Sequence, residues 1–118
     1  MIAPSRALRI RNARPRLYAL IDPDSRAVRY VGYTRKALAE RLKYHLWDSK
    51  RKGPYHGRNR KDAWIRSIVR RKNPLEAVVL QSGIGEWAAA EQLWIATFRA
   101  AGMDLLNMTI GGRGVKRG

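Results

Sequence analysis

Two stretches of this chain set groups capable of chemistry at helical spacing. In AAAEQLWI, Glu91 follows Trp87 by four residues and precedes Trp94 by three, Ile95 by four and Phe98 by seven. A helix would therefore hold its carboxylate inside an apolar stripe. An ionised carboxylate in that setting needs a cation, either an arginine or a metal, and on this helix alone a structural salt bridge is the preferred reading. In ERLKYHL, Arg41 and His45 lie four apart, stacked on neighbouring turns of one helix face. That places a permanent cation beside a group that titrates near neutrality. Taken singly, Arg41 reads as one solvated cation among many, and His45, beside a stripe of leucines, as a satisfied boundary histidine. Tyr18, Tyr30 and Tyr33 are likewise what half-buried strands contain.

The elements that must position these groups follow from pattern. Residues 17–21 and 28–33 are rich in Leu, Ile, Val and Tyr around Asp-Pro-Asp-Ser, which predicts an antiparallel hairpin. If Ile21 pairs with Ala27, Tyr18 falls directly opposite Tyr30 on one face of the sheet. Thr34 is placed to cap a helix over 35–48 with Leu38, Leu42 and Leu46 as its stripe. Residues 49–61 read as an exposed basic loop. A second helix is expected over 62–72, with Trp64, Ile65, Ile68 and Val69 inward and Asn73-Pro74 as its stop. Residues 75–81 look like a third strand. A third helix runs from about Glu86, whose acid suits the positive end of the helix dipole, to Gly102. Its inward face carries Trp87, Trp94, Ile95 and Phe98.

Composition bounds the partners. The 118 residues carry 25 Lys and Arg against 9 acids, a formal charge of +16. A field of that sign seeks a polyanion, with nucleic acid first. An apolar fraction of 45% and four tryptophans argue for one folded domain. No apolar run approaches the ~20 residues that span a bilayer, and the start lacks a secretory apolar region. No membrane partner is therefore expected, and a cytoplasmic or nucleoid-associated location is. The absence of cysteine excludes disulfides, zinc ribbons and thiol catalysis. With His56 as the only other histidine, a histidine metal site is not expected either. Residues 1–15 read as a basic arm, 16–110 as the folded domain and 111–118 as a Gly-rich basic tail. Phosphate contacts fall to Arg14, Arg16, Lys50, Arg51, Lys52, Arg58, Arg60 and Lys61.

In order along the chain these groups resemble the GIY-YIG nuclease family. The first signature is Leu17-Tyr18-Ala19 within RLYALID, without the usual leading Gly-Ile. The second is Tyr30-Val31-Gly32, followed by Thr34. Arg41 and His45, then Glu91, then Asn107 in DLLNMTIGGRG complete the order. The resemblance spans about residues 16–114 and implies an α+β fold, a small three-stranded antiparallel sheet flanked by about three helices. It further implies an endonuclease that hydrolyses DNA phosphodiesters to 5′-phosphate and 3′-hydroxyl ends with one metal site per protomer. In that reading Glu91 holds Mg²⁺, for which Mn²⁺ substitutes, while water and phosphate oxygens complete the shell. Arg41 binds nonbridging phosphate oxygens. Tyr18, Tyr30 or His45 takes the proton of the attacking water, a tyrosine near metal and arginine having its pKa pulled down. Asn107 braces the site, and Gly32 lets backbone or phosphate approach closely. Sequence preference is expected to be weak without an additional specificity domain or protein. The competing class is a catalytically silent DNA- or RNA-binding module, for which the charge alone suffices.

Overall fold

The computed structural model describes residues 15–51 and 60–107. The expected basic arm, most of the loop at 52–59 and the Gly-rich tail, with Arg14, Lys52 and Arg58, lie outside the described residues. Three strands, β1 (Arg16–Ile21), β2 (Val28–Thr34) and β3 (Glu76–Ser82), form one antiparallel sheet in the order β2-β1-β3. Three helices accompany it: α1 (Leu38–Lys50), α2 (Arg60–Arg70) and α3 (Trp87–Ala100). The fold is α+β, a three-stranded antiparallel sheet with three helices.

β1 is the centre of the molecule because its sequence has no polar face to offer solvent. Leu17, Tyr18, Ala19 and Leu20 are all fully buried, as a strand covered on both sides must be. Tyr18 and Leu20 share one face with Trp64, Ile65 and Ile68 of α2, and the Leu38, Leu42 and Leu46 stripe of α1 packs against them. On the other face Val31 meets Ile95 of α3 and Leu105, with Trp94, Phe98 and Met103 around them. The sheet thus separates two cores, α1 and α2 on one side and α3 on the other.

The hairpin departs from the expected register. Ile21 pairs with Val28 while Leu20 pairs with Tyr30, so Arg29 is an extra residue on β2 and Tyr18 faces Gly32, not Tyr30. A bulge of this kind shifts the pairing beyond it. Tyr30 is now diagonal to Tyr18, on the same face. The turn is held by Asp22, whose carboxylate accepts the N–H groups of Asp24 at 2.8 Å and Ser25 at 3.1 Å in an Asx turn. Its other oxygen accepts Trp64 Nε1–H at 3.2 Å, which ties the hairpin to α2.

Helix boundaries differ from expectation where local hydrogen bonds compete. Thr34 ends β2, and its hydroxyl accepts the Lys36 N–H at 3.0 Å. α1 consequently starts only at Leu38, after Ala37, without a side-chain cap. It continues through Ser49 and Lys50, which the loop reading had assigned to the basic segment. α2 takes in Arg60 and Lys61, and Val69 is 39% exposed rather than inward. After α2, Lys72 adopts a φ of 61°, and the Asn73 N–H returns to the Ile68 carbonyl at 3.2 Å, so the chain turns before Pro74 is reached.

Candidate active site

The site forms where β1 and β2 meet α1 and the first turn of α2. Tyr18 projects from the middle of β1, and its hydroxyl crosses in front of β2 at Gly32. A Cβ added at Gly32 would stand 2.5 Å from Tyr18 Cζ and 2.9 Å from Cε1. The glycine therefore makes room for the phenol itself, where the sequence reading had assigned that space to backbone or phosphate.

Two side chains converge on that phenol. Arg41 Nε–H donates to the Tyr18 hydroxyl at 3.2 Å, and His45 Nε2 lies 2.6 Å from it. The helical four-residue spacing of Arg41 and His45 delivers both to one oxygen. His45 is fully buried, a core residue and not a boundary one, and the Tyr30 ring meets it edge-on at 5.8 Å. From α2, Lys61 Nζ reaches His45 Nδ1 at 3.1 Å, stands 5.4 Å over the Tyr30 ring and pairs with the fully buried Asp62 at 3.5 Å.

The electrostatics follow from burial. His45 is lowered to about 3 by loss of solvent, helped by the positive charges of Lys61 and Arg41, so it is neutral at pH 7. Burial also lowers Lys61, against the pull of Asp62 and Asp48. Both phenols are raised by burial, Tyr30 strongly; Arg41 opposes this at each, and the Glu91 charge adds to it. The expected downward shift of a tyrosine is therefore not a property of the protein atoms alone.

Glu91 is 8% exposed. It lies one turn beyond Trp87, whose ring stacks on Tyr33 at 4.0 Å and 20° and fixes the start of α3 against β2. Its charge is near enough to act on Tyr18 and Tyr30. Among the described residues no three His, Cys, Asp or Glu side chains gather as a metal cluster. A hard divalent cation fits Glu91 as a single carboxylate ligand, the mode in which Mg²⁺ retains water and takes phosphate oxygens.

Asn107 acts on the backbone. Its Oδ1 accepts the Val31 N–H at 3.0 Å, and its Nδ2 donates to the Val31 carbonyl at 2.8 Å. With the Leu106 N–H on the Arg29 carbonyl at 2.6 Å, it closes the free edge of β2 next to Gly32. Among the residues assigned to phosphate, Arg16 donates to the Lys36 carbonyl at 3.0 Å. Lys50 is exposed, Arg51 pairs with Asp48 at 3.5 Å, and Arg60 is 67% exposed beside Asp104.

Lys61 is the residue whose place in the cluster sequence reasoning missed, having assigned it to an exposed loop. The signal was present: Lys61 precedes Trp64, Ile65 and Ile68 by three, four and seven residues, the spacing of one buried helix face. No helix among the described residues is long and apolar enough to cross a membrane.

Comparison with curated proteins and with solved structures finds no significant match. The model of the GIY-YIG catalytic domain matches residues 15–104, and the chain belongs to that family of nuclease domains.

Proposed function

We propose that this domain is an endonuclease that hydrolyses DNA phosphodiester bonds with Mg²⁺, or Mn²⁺ in its place, leaving 5′-phosphate and 3′-hydroxyl ends. Its sequence preference by itself is weak, because its cationic groups address phosphate, which carries no sequence. The observation that carries the reading is the convergence of Arg41 and His45 on the Tyr18 hydroxyl within reach of the Glu91 charge.

Each residue has a task that its surroundings support. Glu91 would hold the cation, which when bound supplies positive charge to the phosphate and to the water that attacks it. Arg41 is permanently charged and has further N–H groups beyond the one given to Tyr18, so it can bind a nonbridging phosphate oxygen. Tyr18 takes the proton of the water as its phenolate, the form that burial disfavours and that arises only once its own proton has left to solvent. While Lys61 is charged it can only donate, so His45 Nδ1 must accept from it and Nε2 must carry the hydrogen. The Tyr18 oxygen then accepts from both His45 and Arg41, an arrangement that stabilises its phenolate. His45 has no lone pair left for a water, which makes it the donor to the base and not the base. Tyr30, raised by burial, stays protonated and packs against His45. Asn107 and Gly32 fix the strand on which this depends.

The reading is tested by incubating supercoiled plasmid with Mg²⁺ and either the parent protein or Glu91→Gln. The expected result is nicking by the parent, suppressed by chelation and reduced at least about a hundredfold in the variant, with DNA binding retained. Nicking that survives the substitution removes Glu91 from the mechanism. Binding without cleavage by the parent on every DNA tried makes the non-catalytic binding module the better account.

A further inference from the structure

Beyond Arg41, the outer side of α1 carries exposed side chains that hydrolysis does not use. The Arg41 guanidinium lies 4.9 Å from the centroid of the Tyr44 ring. Tyr44 and Trp47 follow at 6.1 Å and 42°, and the Arg51 guanidinium lies 4.7 Å from the Trp47 ring. Tyr44 and Trp47 lie on the side of α1 turned away from Leu38, Leu42, Leu46 and buried His45, with Arg41 at its border with the site and Arg51 just past the helix end. Tyr44 is 43% and Trp47 is 56% exposed.

Two large rings left in water on an otherwise polar helix face, each with a guanidinium against it, make a pattern of alternating cation and π-surface. Such a surface suits a strand whose phosphates meet the cations while its bases lie on the rings. The bases of an intact duplex are stacked on one another and present no free face, so only unpaired bases can use it. A chain of charge +16 favours a polyanion here over a protein partner. The row also begins at Arg41, the residue that touches the Tyr18 hydroxyl, so a strand lying along it leads directly to the site.

We propose that Tyr44 and Trp47 are a stacking platform for unpaired bases adjoining the scissile phosphate. The preferred substrate class is then DNA with a single-stranded segment beside the cut, as at an overhang, flap or junction. The location of the cut rests on the nuclease reading above, whereas the stacking itself does not.

The test uses the full chain carrying Glu91→Gln, with fluorescent blunt duplex and the same duplex bearing a single-stranded thymidine overhang. The overhang should bind more tightly than the blunt end. Trp47→Ala should weaken overhang binding about tenfold, the usual effect of losing one base–aromatic stack, with a smaller effect on blunt duplex, and Trp47→Phe should restore most of it. Equal binding of the two DNAs, or equal loss on both in Trp47→Ala, overturns the platform. The parent protein separates the two proposals: cleavage without overhang preference leaves the nuclease reading standing alone. Trp47-dependent overhang binding without any cleavage leaves the platform and removes the nuclease reading.

Discussion

The proton on His45 decides what Tyr18 can do, and Lys61 decides where that proton sits. While it is charged, the Lys61 ammonium, 3.1 Å from Nδ1, can only donate to that nitrogen, which puts the imidazole hydrogen on Nε2, facing the phenol at 2.6 Å. It also contributes, after burial, to holding His45 at about 3. Lys61→Met keeps much of the packing over Tyr30 and removes the donor and the charge. The His45 pKa should then rise, and its imidazole ¹⁵N spectrum should show Nδ1–H in exchange with the single Nε2–H form of the parent. Cleavage should fall about tenfold to a hundredfold, with the acid limb of its pH profile moved upward. Lys61→Arg, which restores a cationic donor, should recover part of the activity. A Met variant whose imidazole spectrum and pH profile are those of the parent would mean that Lys61 only fills space.

At the scale of elements, the site depends on turns and edges more than on the helices that carry its residues. β2 is an edge strand with Gly32 at its middle, and Asn107 satisfies its outer N–H and C=O groups at Val31. Asn107→Ala leaves both groups without that side chain and should destabilise the fold by about 1–3 kcal/mol, measured by urea unfolding. Hydrogen exchange should rise at Val31 while α2 keeps its protection; protection unchanged at Val31 would show that the brace carries nothing. This is also where sequence and structure part company. The elements were legible because Leu38, Leu42 and Leu46, or Trp94, Ile95 and Phe98, repeat with helical period, and because the strands lack polar interruption. Tyr18, Arg41, His45, Glu91 and Asn107 were legible as an ordered set. The bulge at Arg29 was not, since one extra residue on a strand leaves no mark on composition yet moves Tyr18 from Tyr30 to Gly32. Nor was the depth of His45, which depends on α2 closing over α1, or the delayed start of α1, which Thr34 causes by bonding to Lys36.

For the whole molecule, the cluster around Tyr18 and His45 is also part of the core on one side of the sheet, so its protonation is a matter of global stability. His45 has a folded pKa of about 3 against an unfolded value near 6.5. Between those values the unfolded chain binds the extra proton, so stability rises with pH across that window. The contribution is fully present above about pH 6.5 and is lost as pH falls towards 3, with a slope approaching ~1.4 kcal/mol per pH unit. Asp22 acts in a separate window. Its carboxyl is held below the ordinary value of 3.8 by the Ser25 N–H first, then by the Asp24 N–H, Trp64 and Arg71 against the effect of burial. Its contribution is therefore present above about pH 4 and fades only below it. Urea unfolding at half-unit steps from pH 7.5 to 4.5 isolates the histidine. The parent should lose stability steadily below pH 6.5, and His45→Gln should show a lower plateau with most of that slope gone. If the variant and the parent fell in parallel over this range, the buried imidazole would not be the group that couples the site to the fold.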